Sequence, residues 1–281
     1  MASNNEFEAV GNQGQLQGFG NLMHKENRLW WRTSRWWVQT LIWLAISNGI
    51  LLMVIGVAPK MENPPGQNSN AQSGETQQPL DILGLTVFLK IAGIATAIGV
   101  AVLAQDTLIG EKQSGTAAWV LSKPVSRSAL ILSKVIANST GILISMVIVP
   151  GIIAYLIIYF IAGKAYPVLP YAGALGMFFV SLLFWLTLAI MLSSLSSTRG
   201  LAIGIPLFLI LGFILFVEIA PFTADFMPWS LTNVVSATRP AMAVSLVLGQ
   251  PIPTLMPLFG SIIGSLVFTM VAIWRFQKEE F

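Results

Sequence analysis

"LIGEKQSGTAAWVLSKPVSR", residues 108–127, interrupts a chain that is otherwise mostly apolar. It lies between two long hydrophobic windows and carries Gly110, Gly115 and Pro124 together with the charged residues Glu111, Lys112, Lys123 and Arg127. Glycine tolerates backbone conformations closed to other residues, so Gly110 and Gly115 are expected to turn the chain sharply. Residues 116–122 then read as a short helix with Ala117, Val120 and Leu121 on one side. Pro124 ends that helix, and Ser126 is placed to cap the next, whose first residues, 127–134, lead into the following apolar run. The stretch is a helix, a break and a second helix, too short for a domain and held between two hydrophobic segments.

Those flanking segments set the class. Of 281 residues, 55% are hydrophobic and 10% charged, with a mean hydropathy of +0.75, whereas soluble domains carry about 25% charged residues. A helix needs about 20 mostly apolar residues to cross the hydrocarbon core, and six windows approach that: 37–57, 82–103, 130–161, 171–195, 201–219 and 257–274. The expectation is an all-α integral membrane protein of six transmembrane helices, forming a single domain over residues 21–281. Pro150 and Pro206 should kink or break the third and fifth. Residues 1–20 are polar and mildly acidic, which reads as a disordered tail rather than a signal peptide.

Lys and Arg mark the cytoplasmic side of a membrane protein. Lys25, Arg28, Arg32 and Arg35 precede the first window. Lys112, Lys123, Arg127 and Lys134 follow the second, Arg199 the fourth, and Arg275 and Lys278 the sixth. The opposite loops hold Lys60, Lys164 and Arg239. Both termini and the stretch 108–127 are therefore expected in the cytoplasm, in a chain of the cell (inner or plasma) membrane.

Residues 21–39 interleave cations with Trp30, Trp31, Trp36 and Trp37, as in an amphipathic helix lying on the membrane face; in front of a membrane span this is not a nucleic-acid site. Residues 58–79 form a polar, flexible external loop. Residues 221–257 are interrupted by Pro221, Pro228, Pro240, Pro251 and Pro253, so short broken helices are expected at the outer leaflet.

The inventory of reactive groups excludes most enzymes. With no cysteine and 1 histidine, His24, the chain has no thiolate or imidazole cluster for a metal. No window holds two carboxylates, and the phosphate loop G-x-x-x-x-G-K-[ST] is missing. No catalytic residue, metal or bound cofactor is expected. The 11 methionines form no Met-x-x-Met series in a window and read as packing rather than copper ligands. Lys90 and Glu218 fall within windows, and a charge in a span is a candidate for function because it is costly there. Both are candidates for a substrate path; the alternative is that each reaches the outer interface. The small-xxx-small patterns 200–204 and 260–264 read as close helix packing within one subunit.

Glu111, Gly115, Thr116, Leu121, Ser122, Pro124, Val125, Ser126, Arg127 and Lys134 compose E-x-x-x-G-T-x(4)-L-S-x-P-V-S-R-x(6)-K, which resembles the cytoplasmic signature of permeases in the type 2 ATP-binding-cassette (ABC) exporter family. The plan is similar too, over roughly residues 21–281: an N-terminal amphipathic elbow helix, six spans, and broken external helices between the fifth and sixth. The resemblance implies two permease subunits around a central pathway, each docked on a separate ATPase that holds ATP and Mg. It implies that the loop after the second span carries a coupling helix, here residues 106–115, with Asp106, Ile109, Glu111, Lys112, Gly115 and Thr116 toward the ATPase and Glu111 as the main polar contact. Leu121, Pro124, Ser126 and Arg127 would brace it. Gln113 and Ser114 dilute a run that is more strongly charged in the family. An ion-coupled secondary transporter, or a membrane scaffold that docks a protein without moving a substrate, stays open beside this reading.

Overall fold

In lipid a backbone can satisfy its own N–H and C=O groups only as a helix or a closed barrel, and the apolar runs here take the first course. The computed structural model describes residues 16–57, 79–196, 198–236, 239–252 and 254–279. Among these, five helices are long and apolar enough to cross a membrane: α2 (Arg35–Val57), α3 (Leu80–Gln113), α5 (Arg127–Ala162), α6 (Val168–Leu195) and α11 (Met256–Gln277). Helix α1 (Phe19–Trp31) precedes them, and α4 (Thr116–Leu121) joins α3 to α5. The fifth window becomes two pieces, α7 (Arg199–Leu211) and α8 (Phe213–Ile219). A 3-10 turn, Pro221–Asp225, and the short helices α9 (Trp229–Thr232) and α10 (Met242–Val247) lead into α11. An isolated bridge between Ser236 and Arg239 is the extended pairing among the described residues.

Helix α6 is the axis of the bundle. Its residues 184–190 are buried without interruption, which a helix shows only when neighbours surround it. It packs against α3, α7, α10 and α11, and Phe184 meets Phe268 of α11 edge-on at 5.1 Å.

The prolines act less than the sequence leads one to expect. Helix α5 runs through Pro150, with a π-helical turn, Leu143–Ile148, directly before it; a widened turn accommodates the ring and the missing N–H without ending the helix. Helix α7 likewise contains Pro206 and is interrupted six residues later, at Gly212, the residue with the weakest helix propensity after proline. The expected turn at Gly110 does not occur, because α3 continues ten residues past the window to Gln113. Gly115, at φ 70°, makes that turn alone. Of the small-residue patterns, 260–264 packs within the chain: a Cβ at Gly260 would stand 2.5 Å from the Phe226 carbonyl oxygen. Gly200 and Gly204 face open space instead.

The tail expected over 1–20 is outside the described residues up to 15, and α1 begins at Phe19. The external loop 58–79 lies outside them except for Pro79. The described residues of 221–257 fold as short broken helices before α11, with Trp229, Leu231, Met242 and Ala243 buried. At that end Asp81 takes a hydrogen bond from the Tyr166 hydroxyl at 3.1 Å and an ion pair from Lys164 at 2.9 Å. Burial, reinforced by the charge of Asp81, pushes the Tyr166 hydroxyl well above its ordinary value, so it stays a donor.

Candidate functional site: a polar tip on a charged clamp

Helix α1 buries Leu22, Glu26 and Trp30, residues spaced by four and so in one line along the helix. That stripe faces α5. Glu26 lies 3.1 Å from Lys134, and the Trp30 indole N–H donates to Asn138 at 3.1 Å. Trp30 also covers Gly141, where a Cβ would run into the ring. At the start of α1, Gln17 accepts a hydrogen bond from the Ser126 N–H at 3.0 Å, and Gly18, at φ 76°, is closed over by Val125. These contacts advance together along both chains, so α1 runs parallel to the first turns of α5. The face of this amphipathic helix that carries Leu22, Glu26 and Trp30 is packed on protein.

Length explains where this occurs. About 20 residues at 1.5 Å per residue cross the hydrocarbon core. Counted from the α8 end of the bundle, α3 has crossed by about residue 100 and α5 reaches back to about residue 142. Helices α3 and α5, with 34 and 36 residues, thus exceed the length one crossing needs, and α1 packs beside their extra turns.

Along those extra turns four charges alternate in sign. Lys25 lies 2.8 Å from Glu111, Glu111 3.0 Å from Lys134, Lys134 3.1 Å from Glu26, and Glu26 3.8 Å from Lys25. The side chains of Lys134 and Glu26 are 3% and 8% exposed. Buried charges are tolerated only when paired with good geometry, and this ring is neutral. It ties α1, α3 and α5 at one level. The Glu111 and Lys134 of the sequence signature are thus bonded to each other.

Further ties complete the same end. Lys112 reaches Glu279 at 2.8 Å and the Ser194 carbonyl at 3.0 Å. Asp106 pairs with Arg199 at 2.8 Å. Arg127 donates to the Gln277 carbonyl at 2.6 Å, satisfying the end of α11. Ser126 caps α5 as its spacing predicts, its hydroxyl accepting from the Ala129 N–H at 3.1 Å. Ile109 is fully buried.

What remains exposed is the tip. Ser114, Gly115, Trp119, Ser122, Lys123 and Pro124 face outward, while Ala117 and Val120 are buried beneath α4. The side chain of Leu121 lies outside the described set. Ser114 and Thr116 share a hydroxyl hydrogen bond of 2.8 Å across Gly115. Trp119 is 62% exposed, with the Lys123 ammonium 3.7 Å from its ring centre. An exposed tryptophan under a cation, on a rigid base, is a surface suited to a protein partner.

Of the residues picked from sequence, the fold therefore divides the set 106–116. Asp106, Glu111 and Lys112 bond within the chain, Ile109 is core, and Gly115 and Thr116 belong to the tip. Lys90 on α3 and Glu218 on α8 are both exposed, and no ion pair joins them among the described residues. No group of metal-binding side chains occurs there either. Sequence reasoning missed Lys25, Glu26 and Asn138. Glu26 was discoverable: it stands midway between Leu22 and Trp30 on an otherwise apolar stripe, a position that calls for a cation opposite.

A family model described as "ABC-2 family transporter protein" matches residues 20–281. Over 200 residues the chain is 26% identical to a probable ABC transporter permease protein, NosY, of Stutzerimonas stutzeri, an alignment that covers 67% of this chain and 70% of that protein. Such membership implies a membrane setting and an ABC ATPase as partner, this chain being the membrane part of the transport complex rather than the ATPase. The chain belongs to the ABC-2 transporter family and is a multi-pass membrane permease subunit of an ABC transporter.

Proposed function

We propose that this permease is one of two that pair in an ABC exporter, with a separate ATPase docked on the tip, residues 114–123, at the cytoplasmic face. The observation that carries this reading is the clamp. A docked element transmits force only if it is fixed to what must move, and the ring of Lys25, Glu26, Glu111 and Lys134 fixes the base of the tip to three helices at once. Gly115, Thr116, Trp119 and Lys123 contact the ATPase. Asp106, Glu111 and Lys112 anchor the lever behind them, and Leu121, Pro124, Ser126 and Arg127 brace it.

Parity supports six crossings with both ends inside. Glu279 pairs with Lys112 near the clamp, where α1 also sits, so the chain ends on the side where it enters. Five crossings would leave it on the other. Helices α7 and α8 together span 21 residues, Arg199–Ile219, or about 31 Å at 1.5 Å per residue, which supplies the sixth.

ATP binding and hydrolysis on the paired ATPases move the tips, and the bundle alternates between inward- and outward-open states whose relative energies depend on the nucleotide bound. Gly200, Gly204, Leu201 and Phe208 expose one face of α7 for the second permease. Lys90 and Glu218 line the pathway so enclosed. Gentle extraction followed by native mass spectrometry tests the reading: the expected particle holds two permeases and two ATPases, and a permease recovered alone under conditions that keep other ABC complexes intact would oppose it.

A further inference from the structure

The outward face of α1 is left unused by everything above. His24, Arg28 and Arg32 recur every fourth residue on the side away from α5, and with Asn21, Lys25 and Leu29 they line a groove of about 590 Å³. Among the described residues, neither Arg28 nor Arg32 has an ion-pair partner. Two unpaired guanidiniums and an imidazole N–H form a set of donors matched to a phosphate.

The level of the groove identifies the phosphate's source. Trp30 stacks on Gly141, about where α5 leaves the hydrocarbon core. Trp31, Trp36 and Trp37, the residues around the turn into α2, are 37%, 40% and 46% exposed, and exposed tryptophan belongs at headgroup depth. Arg28 and Arg32 flank that level. Tryptophans exposed beside the groove favour a lipid headgroup over a protein as its occupant.

We propose that this groove binds the headgroup of an anionic phospholipid from the inner leaflet. Lys25 makes the site more than an anchor. Its ammonium lies 2.8 Å from Glu111 and its side chain, 38% exposed, also lines the groove. A phosphate held by Arg28 and Arg32 competes with Glu111 for Lys25, so anionic lipid loosens the clamp beneath the tip. The inference rests on the cytoplasmic placement of α1 and stands whether or not the ATPase docks on residues 114–123.

The test is native mass spectrometry of the full chain in micelles supplied with phosphatidylglycerol, phosphatidylcholine or inorganic phosphate. Each cation near an anionic surface is worth about fivefold in affinity, so Arg28→Gln/Arg32→Gln should lower phosphatidylglycerol retention at least tenfold, to the level of phosphatidylcholine. Arg28→Lys/Arg32→Lys should keep most of it, which separates charge from folding. Equal retention by wild type and the glutamine variant would overturn the proposal. So would displacement of the lipid by millimolar phosphate, which would make this a free-anion site. Unchanged lipid retention with loss of the ATPase would assign the face to protein and equally overturn it.

Discussion

Glu111 and Lys134 stand 23 positions apart in sequence and 3.0 Å apart in the fold, bonded to each other and to Lys25 and Glu26. Removing one member leaves this buried ring with a net charge, at a cost of about 3 kcal/mol. Glu111→Gln should therefore lower the thermal unfolding midpoint of the permease, as should Lys134→Met. Because the two charges bond directly, the double variant should lose less than the sum, with a coupling of about 1–3 kcal/mol. Strict additivity in the unfolding free energies would show that the pair is not formed.

Trp30 and Gly141 make a second contact between α1 and α5 that leaves no room for a methyl group. Gly141→Ala should push the indole off the helix and weaken its bond to Asn138, a cost of about 1–3 kcal/mol for overpacking. Gly204→Ala meets nothing within 4 Å and should be neutral or stabilising in the isolated permease. Thermal unfolding of the two variants side by side reads this contrast.

Arg127 closes the end of α11 through the Gln277 carbonyl. Arg127→Ala should leave the rest of the bundle intact while the last turn of α11 frays, a loss of about 1 kcal/mol for one such bond. Hydrogen exchange should become faster for amides of residues 273–277 and stay unchanged in α6.

If Lys90 and Glu218 line the pathway, Lys90→Met/Glu218→Gln should insert and bind the ATPase normally while transport falls. Wild-type transport by the double variant would place both residues at the lipid interface.

The membrane class and the helix–break–helix at 116–134 were legible because they rest on composition, on a proline and on a capping serine, all local. Ser126 caps where its spacing places it. The length of α3 was not legible: residues 104–113 are too polar to count as a span, yet they extend the helix because Glu111 and Lys112 find partners on α1, α5 and the chain's end. Glu111 looked like a free contact for the same reason, since its partners lie 86 positions before it and 23 after. Pro206 looked like the weak point of the fifth window, but a single missing hydrogen bond is tolerated inside a packed helix, and the interruption falls at Gly212.

The tip is the proposed place where the ATPase binds. Trp119 and Lys123 are exposed and stack on each other, so Trp119→Ala/Lys123→Ala should fold, insert and unfold thermally like wild type. Its retention of the ATPase on affinity purification should fall at least tenfold, as expected when an exposed aromatic anchor worth about 2 kcal/mol is removed with its neighbour. Retention of the ATPase at the wild-type level by this variant would contradict the assignment.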